Sequence, residues 1–79
     1  MTAKDLRDLI HTSPFNPFRL HLADGNRMRV PHPDFVLVTA EDLVVAKELP
    51  GGVPGNIYLV PYEHIVRVEL LPREKAKTA

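Results

Sequence analysis

The sequence predicts a small, mainly β domain with one N-terminal α-helix. Beyond residue 17, apolar residues alternate with polar ones or form short β-branched runs, which is typical of strands. Turn-forming residues separate these runs, and the 8 prolines suit tight corners better than long helices. Before residue 12, by contrast, the apolar residues follow helical spacing. Together these patterns favour one helix followed by about five strands.

The chain length bounds the domain organisation. With 79 residues there is room for one domain, which we expect to span residues 1–72, followed by a flexible charged tail over residues 73–79. The chain has no cysteine, so neither a disulfide nor a thiolate metal site can stabilise it. A domain of this size without such a link often depends on a partner.

The charge balance argues against one functional class. Ten basic residues match ten acidic ones, whereas dedicated nucleic-acid binders usually have a basic excess. The charge balance does not exclude a local basic patch. No segment is apolar enough to cross a bilayer, and the N-terminus lacks a signal-peptide pattern. We therefore expect a cytoplasmic protein that does not contact membranes.

The helix is expected over residues 2–11. Thr2 is a suitable N-cap, and Asp5 lies near the positive end of the helix dipole. One narrow apolar stripe follows the helical repeat: Leu6, Leu9 and Ile10. A helix this short is unstable alone, so the stripe should pack on the sheet.

Two alternating runs on either side of Asp24-Gly25 predict a β-hairpin. The register follows from the faces of the strands. A two-residue loop at Asp24-Gly25 would place Leu20 opposite Arg29 and so put charge on the apolar face.

A three-residue loop over residues 23–25 avoids this conflict. It pairs Leu20 with Met28 and Phe18 with Val30, and it places Gly25 at the left-handed position that such a loop requires. A loop over residues 24–26, with Asn26 left-handed, keeps the same faces and remains an alternative.

The second half of the chain predicts further short strands. Residues 49–55 are rich in Gly and Pro and are expected to form a flexible connector. Residues 61–64 begin with Pro and suit a single 3₁₀ turn. The expected strands are 35–38, 43–46, 56–60 and 65–71.

Five or six short strands with tight corners favour a small antiparallel barrel, closed or nearly closed. The layout is similar to SH3-like and Sm-like barrels, which place a 3₁₀ turn before the last strand; the Sm-like type adds an N-terminal helix. The RNA-binding motifs of the Sm-like proteins are not matched, because residues 61–64 read Pro-Tyr-Glu-His instead of containing Arg-Gly. The similarity therefore concerns layout and carries no function.

A longer motif covers the first half of the chain. It consists of Pro14-Phe15-Asn16-Pro17-Phe18, His21, Asp24-Gly25, Val30, His32-Pro33 and Phe35. This motif resembles a family of small uncharacterised bacterial proteins with the pattern P-F-x-P-F-x-x-H-x-x-D-G followed by V-x-H-P-x-F. The resemblance implies a shared fold, and the family has no established activity, ligand or catalytic residue to carry over.

One basic cluster is a candidate site for an anion or a nucleic acid. The predicted hairpin register places four side chains on one face, the basic hairpin face: Arg19, His21, Arg27 and Arg29. Like charges directly opposite each other destabilise a hairpin unless something compensates. The alternative is pairing with acidic residues on neighbouring strands: Glu41, Glu48, Glu63 or Glu69.

Metal binding and catalysis receive little support. The candidate metal ligands have no recognised spacing: His21, His32, Asp34 and His64. Ser13, the one serine, lies in a proline-flanked loop that lacks the sequence motif of a nucleophilic serine. We therefore expect no enzyme activity, no cofactor and no metal site.

Three of the predicted strands are apolar on both faces and need cover on both sides. One short helix cannot easily supply it, and barrel closure together with the helix is one solution. We favour the alternative, a homo-oligomer or a contact with another protein, with Tyr58 and Tyr62 as interface residues. The resulting hypothesis is a non-enzymatic module that self-associates or binds another protein. The alternative is an Sm-like binder of nucleic acid or another polyanion through the basic hairpin face.

Overall fold

The computed structural model describes residues 2–72, so the predicted tail over residues 73–79 lies outside the described residues. These residues form a mainly β fold, as predicted, with one helix and two 3₁₀ turns, Pro33–Phe35 and Tyr62–His64. The helix and strands are α1 (Ala3–His11), β1 (Phe18–Leu22), β2 (Arg27–Val30), β3 (Val36–Val38), β4 (Asp42–Leu49), β5 (Val53–Pro61) and β6 (Ile65–Leu70). They make two antiparallel sheets, the first sheet β2-β1-β6 and the second sheet β3-β4-β5.

The N-terminal helix is confirmed together with its cap. The Thr2 hydroxyl accepts a hydrogen bond from the Asp5 N–H at 3.2 Å, and the Asp5 carboxylate accepts one from the Thr2 N–H at 3.3 Å. This capping box satisfies two N–H groups that the first helical turn leaves free. Leu6 is fully buried, while Leu9 and Ile10 pack at the margin of the core.

The first hairpin has the predicted register. Leu20 pairs with Met28 and Phe18 with Val30. The loop holds three residues, because the Leu22 N–H donates to the Asn26 carbonyl at 2.9 Å. Gly25 has a φ of 90°, in the left-handed region that favours glycine. The choice between the two three-residue loops therefore falls on residues 23–25.

The hairpin of β4 and β5 is longer than predicted. The expected connector over residues 49–55 is reduced to a turn at residues 50–52, closed by a 2.9 Å hydrogen bond from the Gly52 N–H to the Leu49 carbonyl. Gly51 and Gly52 both have positive φ, which allows this tight reversal. A Cβ atom on Gly55 would lie 2.6 Å from the Leu49 side chain, so the glycine lets the two strands approach each other.

One core connects the helix and both sheets. Within residues 2–72, no polar or charged side chain is buried. The buried apolar side chains come from α1, five of the strands and the first 3₁₀ turn: Leu6, Phe18, Leu20, Val30, Phe35, Leu43, Val45, Ala46, Val60 and Ile65.

The closed barrel is not confirmed, because the two sheets do not join into a continuous ladder within residues 2–72. After β2 the chain passes Pro31 and Pro33, which have no N–H to donate, and turns at Pro33–Phe35. Phe35, expected in a strand, belongs to that turn, so β3 begins at Val36. In these two sheets β2, β3, β5 and β6 are the edge strands.

Candidate interaction surfaces

The basic hairpin face lies on the outer side of the first sheet, as predicted. Arg19 is directly opposite Arg29, and His21 is directly opposite Arg27. All four side chains are polar and face away from the core, since the intervening residues of β1, Phe18 and Leu20, are fully buried. The hairpin alone therefore concentrates positive charge on one surface.

The last strand changes the electrostatics of this face. Because β1 is the central strand, β6 places Glu69 opposite Arg19 and Arg67 opposite His21. The Glu69 carboxylate accepts a hydrogen bond from Arg19 Nη1 at 3.0 Å and lies 2.9 Å from His21 Nε2. The hydrogen bonds with His21 and Arg19, in that order, hold the pKa of Glu69 below its usual value of 4.5. One carboxylate thus neutralises part of the predicted anion site.

A second carboxylate engages the outer arginine of the hairpin. Arg29 Nη1 donates to Glu48 Oε1 at 2.8 Å, which joins β2 of the first sheet to β4 of the second. Arg27 and Arg67, by contrast, have no carboxylate oxygen within 4 Å in the described part of the chain. The positive charge of the basic hairpin face that no described carboxylate compensates is therefore that of these two arginines. Binding of an anion or a nucleic acid by this face stays a prediction.

Sequence reasoning did not include Arg67 in this cluster. Arg67 alternates with Val66 and Val68 in the last strand, and this indicates that it faces away from the core. Its neighbours on the surface depend on the pairing of β6 with β1, which joins residues that are more than forty positions apart. No local pattern reports that pairing.

The candidate metal ligands do not converge. Within residues 2–72 there is no group of three or more His, Asp or Glu side chains that could hold a metal ion. His21 contacts Glu69, and the exposed His32 lies near Phe35 with 6.2 Å between the ring centroids. Asp34 and His64 belong to different 3₁₀ turns.

The two predicted interface tyrosines have different environments. Tyr58 lies in the middle of β5 and is 42% exposed. Tyr62 is half-buried in the second 3₁₀ turn, where its hydroxyl donates a hydrogen bond to the Thr39 carbonyl. Tyr58 is thus available to a partner, whereas the polar group of Tyr62 is used within the chain.

The outer side of the second sheet is apolar. Register places Leu37, Val44 and Leu59 in one row across β3, β4 and β5. Ile57 lies two residues before Leu59 and so faces the same side. Leu37, Ile57 and Leu59 are each about three-fifths exposed, at 62%, 61% and 66%. We call these four residues the apolar sheet face.

The apolar sheet face continues to the edge of the second sheet along β5. β5 runs over nine residues, Val53–Pro61, and pairs with β4 on one side only. None of its residues is charged. Natural edge strands usually carry charges, bulges or cover that prevent pairing with another chain. β5 has a register shift against β4 between Pro54 and Ile57, and prolines near its two ends, Pro54 and Pro61, so its free edge is uninterrupted only over residues 57–60.

Comparisons with known proteins add no relative: no family model, curated protein or solved structure matches this chain. The family resemblance of the motif that begins at Pro14 therefore stays a prediction. No helix within residues 2–72 has the length and apolar character that a membrane span requires.

Proposed function

We propose that the protein is a non-enzymatic module that self-associates through the apolar sheet face and the free edge of β5. The observation that carries the proposal is the combination of both features on one strand. β5 presents Ile57 and Leu59 on its outer face, and it offers unpaired backbone groups along an uncharged edge. Copies of the same chain can satisfy the backbone groups by pairing along the edge and can cover the apolar side chains by packing on the outer face.

The area of the apolar sheet face indicates that the edge of β5 contributes to the interface as well. Four apolar side chains amount to an area on the order of 300 Å², which falls within the range of the largest apolar patch on ordinary monomers. A stable interface usually takes about 800 Å² from each partner. The edge of β5, with the 51% exposed Val53, adds further area next to the apolar sheet face.

We also propose that the two sheets represent one interrupted barrel of the SH3-like or Sm-like type. β2 and β3 follow each other along the chain and belong to different sheets, with only residues 31–35 between them. The Arg29–Glu48 pair links β2 to β4 across the interruption. This arrangement places the core between the sheets and leaves the apolar sheet face outside.

The self-association is tested by the concentration dependence of molar mass in sedimentation equilibrium, with the full chain and a matched pair of variants. We expect the wild type to be oligomeric. Ile57→Lys places an ammonium group in the interface and should raise the dissociation constant about a hundredfold, because a buried unpaired charge is costly.

Val66→Lys is the matched control. Val66 is 61% exposed, the same fraction as Ile57, but it lies in β6 of the first sheet. We expect this variant to associate like the wild type, and circular dichroism should show both variants folded. A wild type that stays monomeric at the highest concentration measured would refute self-association. Equal disruption by the two variants would refute its assignment to the second sheet.

A further inference from the structure

A cleft of about 690 Å³ lies between the first hairpin, Lys47 and Glu48 of β4, and residues 58–61 of β5. It shares only Leu59 with the apolar sheet face, since its other residues from β5 are Tyr58, Val60 and Pro61. Its volume falls within the range of about 300–1,000 Å³ that is common for small-molecule sites. A site of this size is large for a chain of 79 residues.

The interior of the cleft is apolar. Leu22 and Met28 contribute from the first hairpin, and Tyr58 and Val60 contribute from β5. Leu22 and Met28 are partly buried against the core, so their positions are fixed by packing. A methionine adapts its shape to different apolar groups, and a tyrosine offers a flat apolar ring. These residues suit the apolar body of a ligand.

The charged residues around the cleft are unevenly paired. Arg29 and Glu48 are bound to each other at 2.8 Å. The Asp24 carboxylate accepts hydrogen bonds from the Asn26 N–H at 2.9 Å and from Asn26 Nδ2 at 3.0 Å, and these bonds keep its pKa low.

Two cations at the cleft remain without such partners. Arg27 and Lys47 both line it, and neither has a carboxylate oxygen within 4 Å among residues 2–72. His64 is a third basic side chain at the cleft, in the second 3₁₀ turn. The lining thus holds three cations, Arg27, Arg29 and Lys47, against two carboxylates, Asp24 and Glu48, which leaves one net positive charge without counting His64. A net positive charge beside apolar side chains is complementary to a negatively charged head group on an apolar body.

We propose that this cleft binds a small amphipathic organic anion, with its apolar body against Leu22, Met28 and Tyr58 and its anionic group paired with Arg27 and Lys47. The proposal does not rest on self-association: the two surfaces share Leu59, but the residues assigned to the apolar body of the ligand, Leu22, Met28 and Tyr58, lie outside the apolar sheet face. It concerns a single small molecule, whereas the apolar sheet face fits a second copy of the chain.

The test uses octanoate as the probe and the full chain as the protein, with ¹H–¹⁵N NMR chemical shifts as the readout. We expect octanoate to shift the amide signals of Leu22, Met28 and Tyr58 in a saturable manner. The uncharged analogue 1-octanol should bind about tenfold more weakly, because it cannot pair with the two cations.

Variants on the rim of the cleft separate charge pairing from simple apolar adsorption. The double variant Arg27→Ala/Lys47→Ala should lower the octanoate affinity about tenfold. The matched control is Arg7→Ala, which removes an exposed arginine on α1 that does not line the cleft. This variant should bind octanoate with the same affinity as the wild type. Glu48→Gln frees Arg29 from its ion pair and should raise the affinity severalfold.

Four results would overturn the proposal, and the first three concern the charged rim. Octanoate and octanol could bind equally well, the double variant could bind like the wild type, or the shifted signals could cluster on Leu37 and Ile57 instead of the cleft. Each result would mean that the charged rim plays no part in recognition. An absence of any shift would exclude the site. None of these outcomes bears on the oligomeric state, which is measured separately.

Discussion

Both sheets pack their inner sides against the shared core, but the side chains on their outer sides differ in polarity. In the first sheet, buried Phe18 and Leu20 alternate with Arg19 and His21, so one side packs and the other is hydrated. The second sheet also buries its inner side, but Leu37 and Leu59 stand on its outer side, about two-thirds exposed. In the first sheet the large exposed apolar residues, Val66 and Leu70, are confined to the edge strand β6. In the second sheet an apolar row crosses all three strands, and self-association would cover it.

The largest effect on stability is expected for substitutions in the core that both sheets share. Leu20 and Leu43 are fully buried, one in each sheet, and both belong to the same core. Replacing either with alanine should lower the free energy of unfolding by about 3 kcal/mol, because each substitution removes apolar contacts and leaves a cavity. Urea unfolding followed by circular dichroism measures the effect.

The control for this prediction is Leu37→Ala on the outer side of the second sheet. Its effect on monomer stability should stay within about 0.5 kcal/mol, since the side chain is 62% exposed. A loss at Leu43 as small as that at Leu37 would mean that the second sheet packs on the first more loosely than the structure indicates.

An intermediate effect is expected at the two hairpin turns. Gly25 and Gly51 both have a φ of 90°, one in each sheet, and a Cβ atom added to either glycine would meet no other atom within 4 Å. Alanine at either position should therefore destabilise the fold through backbone strain alone, by about 1–2 kcal/mol. The same urea unfolding experiment measures the loss.

Asparagine provides the control at Gly25, because it tolerates the left-handed region better than alanine does. Gly25→Asn should cost less than Gly25→Ala under identical conditions. If the two substitutions cost the same, strain at this φ would not be the source of the loss.

The smallest expected effect is a pH dependence specific to the first sheet. Hydrogen bonds with His21 and Arg19 lower the pKa of Glu69 in the folded chain. The folded state therefore favours the ionised carboxylate, and this stabilisation is present above the unfolded pKa and is lost as the pH falls through the folded one.

Glu69→Gln removes this contribution. It should lower thermal stability slightly near neutral pH and have no further effect in acid, below the folded pKa of Glu69. Melting temperatures across that pH range check the prediction, with Glu63→Gln as an exposed control that makes no ion pair in the described residues. A difference between wild type and Glu69→Gln that does not vary with pH would argue against the ion pairs as its cause.

Local patterns predicted the elements but not all of their ends. The capping residue Thr2, the hairpin register and the 3₁₀ turn before β6 follow from rules that act over a few residues, and all three are confirmed. The extension of β4 and β5 toward residues 49–55 was missed, because Gly and Pro in a tight turn look the same in sequence as in a loop.

The candidate surfaces divide in the same way. Alternation in the first hairpin predicted which side of it is basic, and it did so because side chains on a strand point alternately to opposite faces. Glu69 and Arg67 join this surface because β6 pairs with β1. Lys47 and Arg27 line one cleft because of the way the two sheets pack. Neither contact follows from a local pattern.

The sequence by itself determined the order of the helix and strands, the register of the first hairpin and the inner face of its two strands, since these follow from local geometry and from the exclusion of charge from the core. The tertiary structure decided that the strands form two separate sheets, which carboxylates pair with the basic hairpin face, and that β5 forms an exposed edge. These features depend on contacts between distant segments, whose free energies no short stretch of sequence encodes.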